Sequence, residues 1–446
     1  MIDKNSKDSD IINIMTTRFS VNYVTRWGEQ IELLLRRHHL DVIVEMHHTG
    51  MGWWTAVIDN DELAGVTRYH YRVATAGAVS RVEQGWHRLP SAASLNTHLI
   101  DQWTDVTTLP MPAVSLRSVI ERPATRMLDA ACYMQLIVPP LRRGVSMAVC
   151  GEASPLGAWN PKRAAVMHHD SDNVWSLPLD LRPGATVSTR FKFIVIDNSQ
   201  CDLLEWEGGD NRWLNVSLNR SERVVVTHYL PGVSSALLRP ASDVVAPLYA
   251  LRSSRDAGCG DVGDLFKLID WAATMRHPAV ELSCLAHVMG GGPVDGAIDP
   301  VYLAPTMMPE VEDANRRRLL TARAIDLNRE DIVDVEEVRR LKMEWAAAVL
   351  MTEQGSAVTR SRDYKRWVNL NADWLQPYAT RMANRNRTLT NFVQYLLRCQ
   401  LQQVLDHAES RDVYLLVNPV AVIPPVPQRM KVSLEAHLAS RKQELS

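Results

Sequence analysis

The sequence predicts a multidomain protein in which two antiparallel β-sandwiches are followed by an α/β region rich in helices. Three observations predict it. Residues 16–107 and 127–228 alternate apolar and polar positions between turn signals, as in Phe19-Ser-Val-Asn-Tyr23 and Arg190-Phe-Lys-Phe-Ile-Val-Ile196. The two stretches repeat each other. Met46-His-His-Thr-Gly50 before Trp54 parallels Met167-His-His-Asp170 before Trp175, and Tyr69-His-Tyr-Arg72 parallels Phe191-Lys-Phe-Ile194. From about Val244 the apolar spacing turns helical.

Composition bounds the function. Across 446 residues, 49 Lys and Arg face 51 Asp and Glu, a formal charge of −2 that argues against nucleic acid or an anionic membrane as partner. The six cysteines lack CxxC spacing, so neither a zinc site nor a disulfide framework is indicated, and no cofactor is expected. Residues 1–15 are polar and of mixed charge, which reads as a disordered leader rather than a signal peptide, and the cytoplasm is the expected compartment.

In chain order, strands are expected at Phe19–Tyr23, Ile31–Leu35, Val42–Met46, Trp53–Val57 and Tyr69–Val73 in the first sandwich. Residues 108–126, with Pro110, Pro112 and Pro123, read as a linker. The second sandwich ends with Arg223–Thr227, and residues 229–243 form a further linker. Within 244–430, strands are expected at 248–251, 279–283 and 413–417. A helix should start at Asp261 or Asp264 and bury Leu265, Leu268, Ile269, Ala272 and Met275. Two longer amphipathic helices carry Val335 to Val349 and Leu389 to Val404, and residues 431–446 read as a tail helix. Neighbouring histidines (38–39, 47–48, 168–169) point to opposite faces of a strand, which suits solvated side chains better than a shared ion.

The sharpest signal lies between Cys150 and Trp213. Trp159 follows a Leu-Gly turn and Trp206 stands before a Gly-Gly loop, positions where a large ring is poorly buried. A flat aromatic surface with nearby donors suits the weakly polar face and hydroxyl rim of a sugar. The order Leu156-Gly157-Ala158-Trp159, Phe191-Lys192-Phe193, Trp206-Glu207 and Asn211-Arg212 resembles the starch-binding domain, the glucoamylase-type carbohydrate-binding module. The resemblance implies that Trp159 and Trp206 stack on glucose units while Lys192, Glu207 and Asn211 hydrogen-bond their hydroxyls. The first copy is expected to be degenerate and structural, because His70 stands in place of Lys192 and Val82-Glu83 in place of Trp206-Glu207.

The C-terminal region resembles the catalytic barrel of the 4-alpha-glucanotransferases called disproportionating enzymes or amylomaltases. Leu251-Arg-Ser253, Gly258-Cys-Gly-Asp-Val-Gly-Asp-Leu265, Leu268-Ile-Asp-Trp-Ala272, Trp374-Leu-Gln-Pro-Tyr378 and Phe392-Val-Gln-Tyr-Leu396 carry the likeness. It implies a TIM-barrel-derived region, expected here to be incomplete, since 200 residues follow from Pro247 where a barrel takes about 250. The family's chemistry needs a carboxylate pair about 5 to 5.5 Å apart. No catalytic residue is assigned, and Asp256, Asp261, Asp264 and Asp295 read as caps or turn formers. At the expected sugar-lining positions the chain has Ser283-Cys-Leu-Ala-His-Val288, Met289–Asp295 and Val417–Val422 instead of the family's polar patterns.

The expectation is therefore a protein that binds starch, maltodextrin or a related alpha-glucan without catalysis of its own, with a homodimer or a partner protein covering the incomplete barrel. Two alternatives stand beside it. One is a 4-alpha-glucanotransferase present as a truncated form or partner-completed subunit. The other is a scaffold whose sandwiches bind protein.

Overall fold

The computed structural model describes residues 15–418, apart from 38–39, 76, 85, 90–95, 105–112, 122–130, 183, 220, 290–291, 331 and 383–385, together with 432–433. The pair His38-His39, nearly all of the expected leader and nearly all of the tail helix lie outside these residues. Two compact units result, one from residues 1–110 and 125–239, the other from 111–124 and 240–446.

The first unit contains β1 (Thr16–Asn22), β2 (Glu29–Arg37), β3 (Leu40–Glu45), β4 (His47–Gly50), β5 (Trp53–Asp59), β6 (Val66–Thr75), β7 (Ala78–Val82), β8 (His87–Arg88) and β9 (Asn96–Gln102). After β10 (Val114–Ser115), which belongs to the second unit, come β11 (Cys132–Ile137), β12 (Val145–Gly151), β13 (Ala165–Val166), β14 (His168–Ser171), β15 (Val174–Leu179), β16 (Thr186–Asp197), β17 (Leu203–Trp206), β18 (Arg212–Ser217) and β19 (Glu222–Tyr229). The halves correspond strand for strand. One five-stranded sheet runs β3-β2-β6-β7 with β8 also on β6, and another runs β13-β12-β16-β17 with β18 also on β16. Trp54 and Trp175 occupy equivalent buried sites, each against a neighbouring imidazole, His48 at 5.0 Å and His169 at 4.4 Å.

What the period-two pattern did not reveal is that the halves share a sheet. Its order is β14-β15-β11-β19-β9-β1-β5-β4, joined at its centre by parallel pairing of β9 with β19, Leu99 opposite Val225 and Asp101 opposite Thr227. Because side chains alternate across a strand, the join gives each core one face of the same sheet. Leu99, Tyr133 and Val225 pack with Phe19, Ile31 and Tyr71, whereas Val224 and Val226 pack with Met134, Phe191 and Phe193, with Ile100 against them. The two five-stranded sheets therefore lie on opposite faces of the shared one.

Polar contacts across the join are reciprocal. His87 begins β8 opposite Tyr69, as Arg212 begins β18 opposite Phe191. Arg212 of the second half donates to Gln102 of the first at 3.0 Å, and His87 Nδ1 of the first lies 3.2 Å from the Tyr229 hydroxyl of the second. His87 is buried with two carboxylates. Its Nε2 is 3.0 Å from both Glu83 oxygens and its Nδ1 is 3.5 Å from Asp101, which also accepts the hydroxyls of Tyr69 (2.8 Å) and Tyr71 (2.7 Å). Burial pulls the imidazole pKa down, but Asp101 and Glu83 outweigh it and raise the pKa to about 9.

In the second unit, β20 (Val244–Ala246), β22 (Ala279–Leu282) and β25 (Tyr414–Val417) pair in parallel, with β10 antiparallel at the edge, in the order β10-β25-β22-β20. β21 (Leu251–Arg252) pairs with β26 (Val432–Ser433), and β23 (Ala286–Met289) with β24 (Gly292–Ile298). Two expectations are corrected here. The strand expected at 248–251 is a 3-10 turn over Leu248–Ala250 ahead of β21, with the parallel strand lying earlier at β20. Pro247 separates them, since it has no N–H for a ladder and its carbonyl accepts from Ala250 instead. Residues 113–121 of the expected linker form β10 and α1 (Leu116–Ile120), whose Leu116 and Ile120 enter the second unit's core.

The helices are α2 (Leu265–Thr274), α3 (Ala314–Arg329), α4 (Val335–Leu350), α5 (Glu353–Arg360), α6 (Arg362–Leu370), α7 (Ala372–Arg381) and α8 (Arg387–Ser410). Leu265, Leu268, Ile269 and Ala272 of α2 are buried as its spacing predicts, whereas Met275 lies just past the helix end and is half-buried. On α8, Gln394 and Gln400 face inward, each accepting from and donating to one backbone residue, Ile298 and Ala304 respectively, at 2.7 to 3.0 Å. Lys342 of α4 is fully buried, donating to Asp261 at 3.1 Å and to the Val301 carbonyl at 2.7 Å. No helix among the described residues is long and apolar enough to cross a membrane.

Two predictions follow from these buried charges. A folded-state pKa above the unfolded value of about 6.5 makes the His87 contribution complete below pH 6.5 and lost as pH rises through 9. The melting temperature of the protein should fall over that window, and His87→Arg, which mimics Arg212, should flatten the fall. Lys342→Met leaves the buried Asp261 carboxyl without its cation and the Val301 carbonyl without its donor, and should destabilise the second unit by about 3 kcal/mol, read as a lower urea midpoint.

Candidate functional site

The candidate site is built on the outer face of the sheet formed by β12, β13, β16, β17 and β18. Along β16, Phe191, Phe193 and Val195 turn into the core, so Arg190, Lys192, Ile194 and Ile196 turn outward. Ladder partners share a side: Cys150 opposite Lys192, Trp206 opposite Ile194 and Trp213 opposite Arg190. On this outer side Ala148, Cys150, Ile194 and Ile196 form a small buried cluster with Ala164 against it. The segment between β12 and β13, which carries Trp159, sends Ala153 and Leu156 to the inner core and Ala164 to this outer cluster.

That segment is held by its glycine. Gly157, Ala158 and Trp159 all have positive φ, at 88°, 50° and 62°. Only Gly adopts such a conformation freely. A Cβ at Gly157 would meet the Arg163 carbonyl oxygen at 2.7 Å, so space as well as φ requires glycine. The backbone N–H of Trp159 then bonds to the Gly151 carbonyl at 2.8 Å, holding the half-buried indole at the end of β12.

β17 and β18 are one edge of β16 interrupted by a loop at residues 207–211. Lys192 bridges it, its Nζ donating to the carbonyls of Glu207 at 3.0 Å and Gly209 at 2.6 Å. An ammonium has three donors, so one remains for a ligand. Trp206 is 37% exposed before the loop, and Asn211 is exposed at its end. Lys192 and Trp206 thus belong to this face and Asn211 to its edge, with Trp159 anchored at the end of β12 beside it.

Glu207 differs from the sequence expectation. Trp206 points outward, so the next side chain points inward and is 8% exposed. Its Oε2 accepts from the Phe193 N–H at 3.0 Å, and its Oε1 lies 2.5 Å from the Arg212 guanidinium. Glu83 does the same in the first half, accepting from the Tyr71 N–H at 3.1 Å with His87 as its cation. The structure makes Glu207 the anchor of the loop. Behind it His228, edge-on to Phe191 and Phe193, is pushed down to about 3 by burial and by Arg212, so its ring is neutral.

In the first half the equivalent outer face is closed by its own side chains. Trp86 stacks on His70 at 4.0 Å with an 8° tilt, and the guanidinium carbons of Arg36 and Arg68 stand 4.6 and 4.7 Å from its ring centroid. Sequence reasoning missed Trp213, which is 59% exposed on the second half's face. The alternation Arg212-Trp-Leu-Asn-Val-Ser217, with Leu214 and Val216 inward, was the available signal.

The second unit's loop aspartates serve its backbone. Asp256 accepts from Ser253 N and Gly258 N at 2.6 and 2.8 Å, while Asp261 and Asp264 form a reciprocal capping box at the start of the turn before α2. Burial raises the Asp261 pKa against the opposing pull of Lys342.

Residues 133–226 match the family model described as the starch binding domain, and residues 246–391 match that of 4-alpha-glucanotransferase. One part of the chain is thus similar to starch-binding domains and another to the 4-alpha-glucanotransferases. A rice protein (Oryza sativa subsp. japonica), 4-alpha-glucanotransferase DPE2, is 25% identical over 264 residues, which cover 55% of this chain and 27% of the rice protein. The chain thus spans about a quarter of that relative's length. Among solved structures, the family 20 carbohydrate-binding module of a Pseudomonas saccharophila maltotetraose-forming amylase is similar at 17% identity and TM-score 0.18, covering 21% of this chain and 98% of its own. Amylomaltase from Corynebacterium glutamicum is similar at 17% identity and TM-score 0.30, covering 61% and 40%. In the region that matches the starch-binding model, Gly157 shapes the turn before Trp159, and Glu207 anchors the loop between Trp206 and Asn211.

Glu207→Ala removes a buried acceptor and strands the Arg212 charge, so it should lower the stability of the starch-binding domain by about 3 kcal/mol. Thermal unfolding measures the loss. Glu207→Gln, which keeps an acceptor for Phe193, should lose less.

Proposed function

We propose that this chain binds starch or maltodextrin through the outer face of the starch-binding domain. Trp159 and Trp206 stack on glucose rings, the spare Lys192 donor and the Asn211 amide take hydroxyls, and Glu207 positions the loop that presents them. The observation that carries the reading is that Trp206 and Lys192 emerge on one face, against which Ala164 of the segment that carries Trp159 also packs, in a region that matches the starch-binding model.

The first half is its structural twin rather than a second receptor, since Trp86 is covered by His70, Arg36 and Arg68. The second unit belongs, in this reading, to a barrel-derived region that contributes no turnover of its own. Supporting that are Asp256, Asp261 and Asp264, whose carboxylates are engaged by backbone N–H groups and Lys342. A glucanotransferase reading is favoured by the match over residues 246–391.

Retention on amylose tests the binding. Trp206→Ala should weaken it about tenfold at an unchanged melting temperature, the loss of one stacking ring. Unchanged retention would discard the assignment. Incubation with maltotriose separates the two readings of the second unit: no glucose release is expected, and release with lengthening of the acceptor would establish transfer.

A further inference from the structure

We infer that Trp213 is a further stacking subsite that extends the glucan face beyond the Trp206 loop and selects longer chains. The inference rests on the proposed glucan reading of the same face and goes beyond it, because the sequence pattern that led to Trp159 and Trp206 makes no use of position 213.

Three observations carry it. Trp213 stands opposite Arg190 and Trp206 opposite Ile194, partners four residues apart on β16, so both indoles rise on the same side. Four residues of strand span about 13 Å, wider than one sugar ring. A single glucose therefore engages one indole at a time, whereas an oligosaccharide can reach both. The ground between them is donor-rich, with Lys192 midway on β16 and Asn211 next to Arg212 on the exposed rim.

The second observation is exposure. At 59% Trp213 leaves more of its ring in water than Trp206 at 37%, although it stands on a paired strand whose neighbours Leu214 and Val216 are buried. An indole turned outward from a packed strand, close to other rings and charges, has the composition of a recognition surface.

The third is orientation. Arg190 lies with its guanidinium 5.9 Å from the Trp213 ring centroid and is itself held by both oxygens of Glu152, at 3.2 and 3.3 Å. Glu152 opens the segment that leads to Trp159, and its own N–H bonds to the Arg190 carbonyl at 2.9 Å. The indole is thus braced on one side by a group tied to the Trp159 segment. Its opposite side is left to a ligand, with Arg190 as a hydroxyl donor at the margin.

The test is calorimetric titration of the full chain and its variants with maltotriose and maltoheptaose. Trp213→Ala should weaken maltoheptaose about five- to tenfold and leave maltotriose unchanged, at an unchanged melting temperature; Trp213→Tyr should restore the preference for the longer chain. Trp206→Ala run in parallel should weaken both sugars. If Trp206→Ala weakens both and Trp213→Ala changes neither, the extension is overturned and the starch-binding reading stands. If Trp213→Ala weakens both sugars equally, chain-length selection is overturned. If Trp206→Ala changes neither sugar, the starch-binding reading falls and takes the extension with it.

Discussion

The parallel pairing of β9 with β19 is the constraint on which the first unit depends. A free-standing sandwich buries one face of each sheet and leaves the other to water. Here the central strands of the shared sheet have a core on either side, so Leu99 and Val225 serve one half while Val224 and Val226 serve the other. A slip of one residue in this register would move every one of these side chains to the wrong core. The hydrogen bonds flanking the join, Arg212 to Gln102 and His87 to Tyr229, fix the register from both sides.

A buried carboxylate is the second recurring device. Glu83 and Glu207 each replace a missing ladder partner by accepting the N–H of an aromatic residue, Tyr71 or Phe193, at the place where the edge strand breaks into a loop. Each then requires a cation, supplied by His87 or Arg212. The halves also exchange their charges one strand further on, where Asp101 occupies the place of His228: the first half pairs its imidazolium with two carboxylates, and the second pairs its guanidinium with one carboxylate and a neutral ring. The two inner polar arrangements thus differ in chemistry and agree in position. On the outer face, His70 replaces Lys192 and Trp86 is stacked rather than open.

Much of this was legible in the sequence because short-range periodicity dictates it. The Met46 and Met167 phrases, the Tyr69 and Phe191 strands, the capped turn at Asp261 that leads into α2 and the apolar faces of α4 and α8 all follow from spacing and capping residues. The shared sheet was not legible, since a strand of alternating residues reads the same whether its second face meets water or another core. Val225 inside Arg223–Thr227 is the residue at which that ambiguity lies. Glu207 was misplaced for a related reason: a motif identifies residue types, while the face that each occupies follows from the parity of the strand, which sends Trp206 out and Glu207 in. Pro247 moved a predicted strand by removing one donor, and residues 113–121, expected as linker, supply an edge strand to the second unit.

A shared sheet also alters what can be lost. In a pair of domains joined only by a tether, one member can change without disturbing the other. Here Ile100, on a strand of the first half, lies against the core of the second, and Tyr133 of the second is part of the core of the first. The first half is thereby a wall of its neighbour's house, and its inner positions answer to the fold of both.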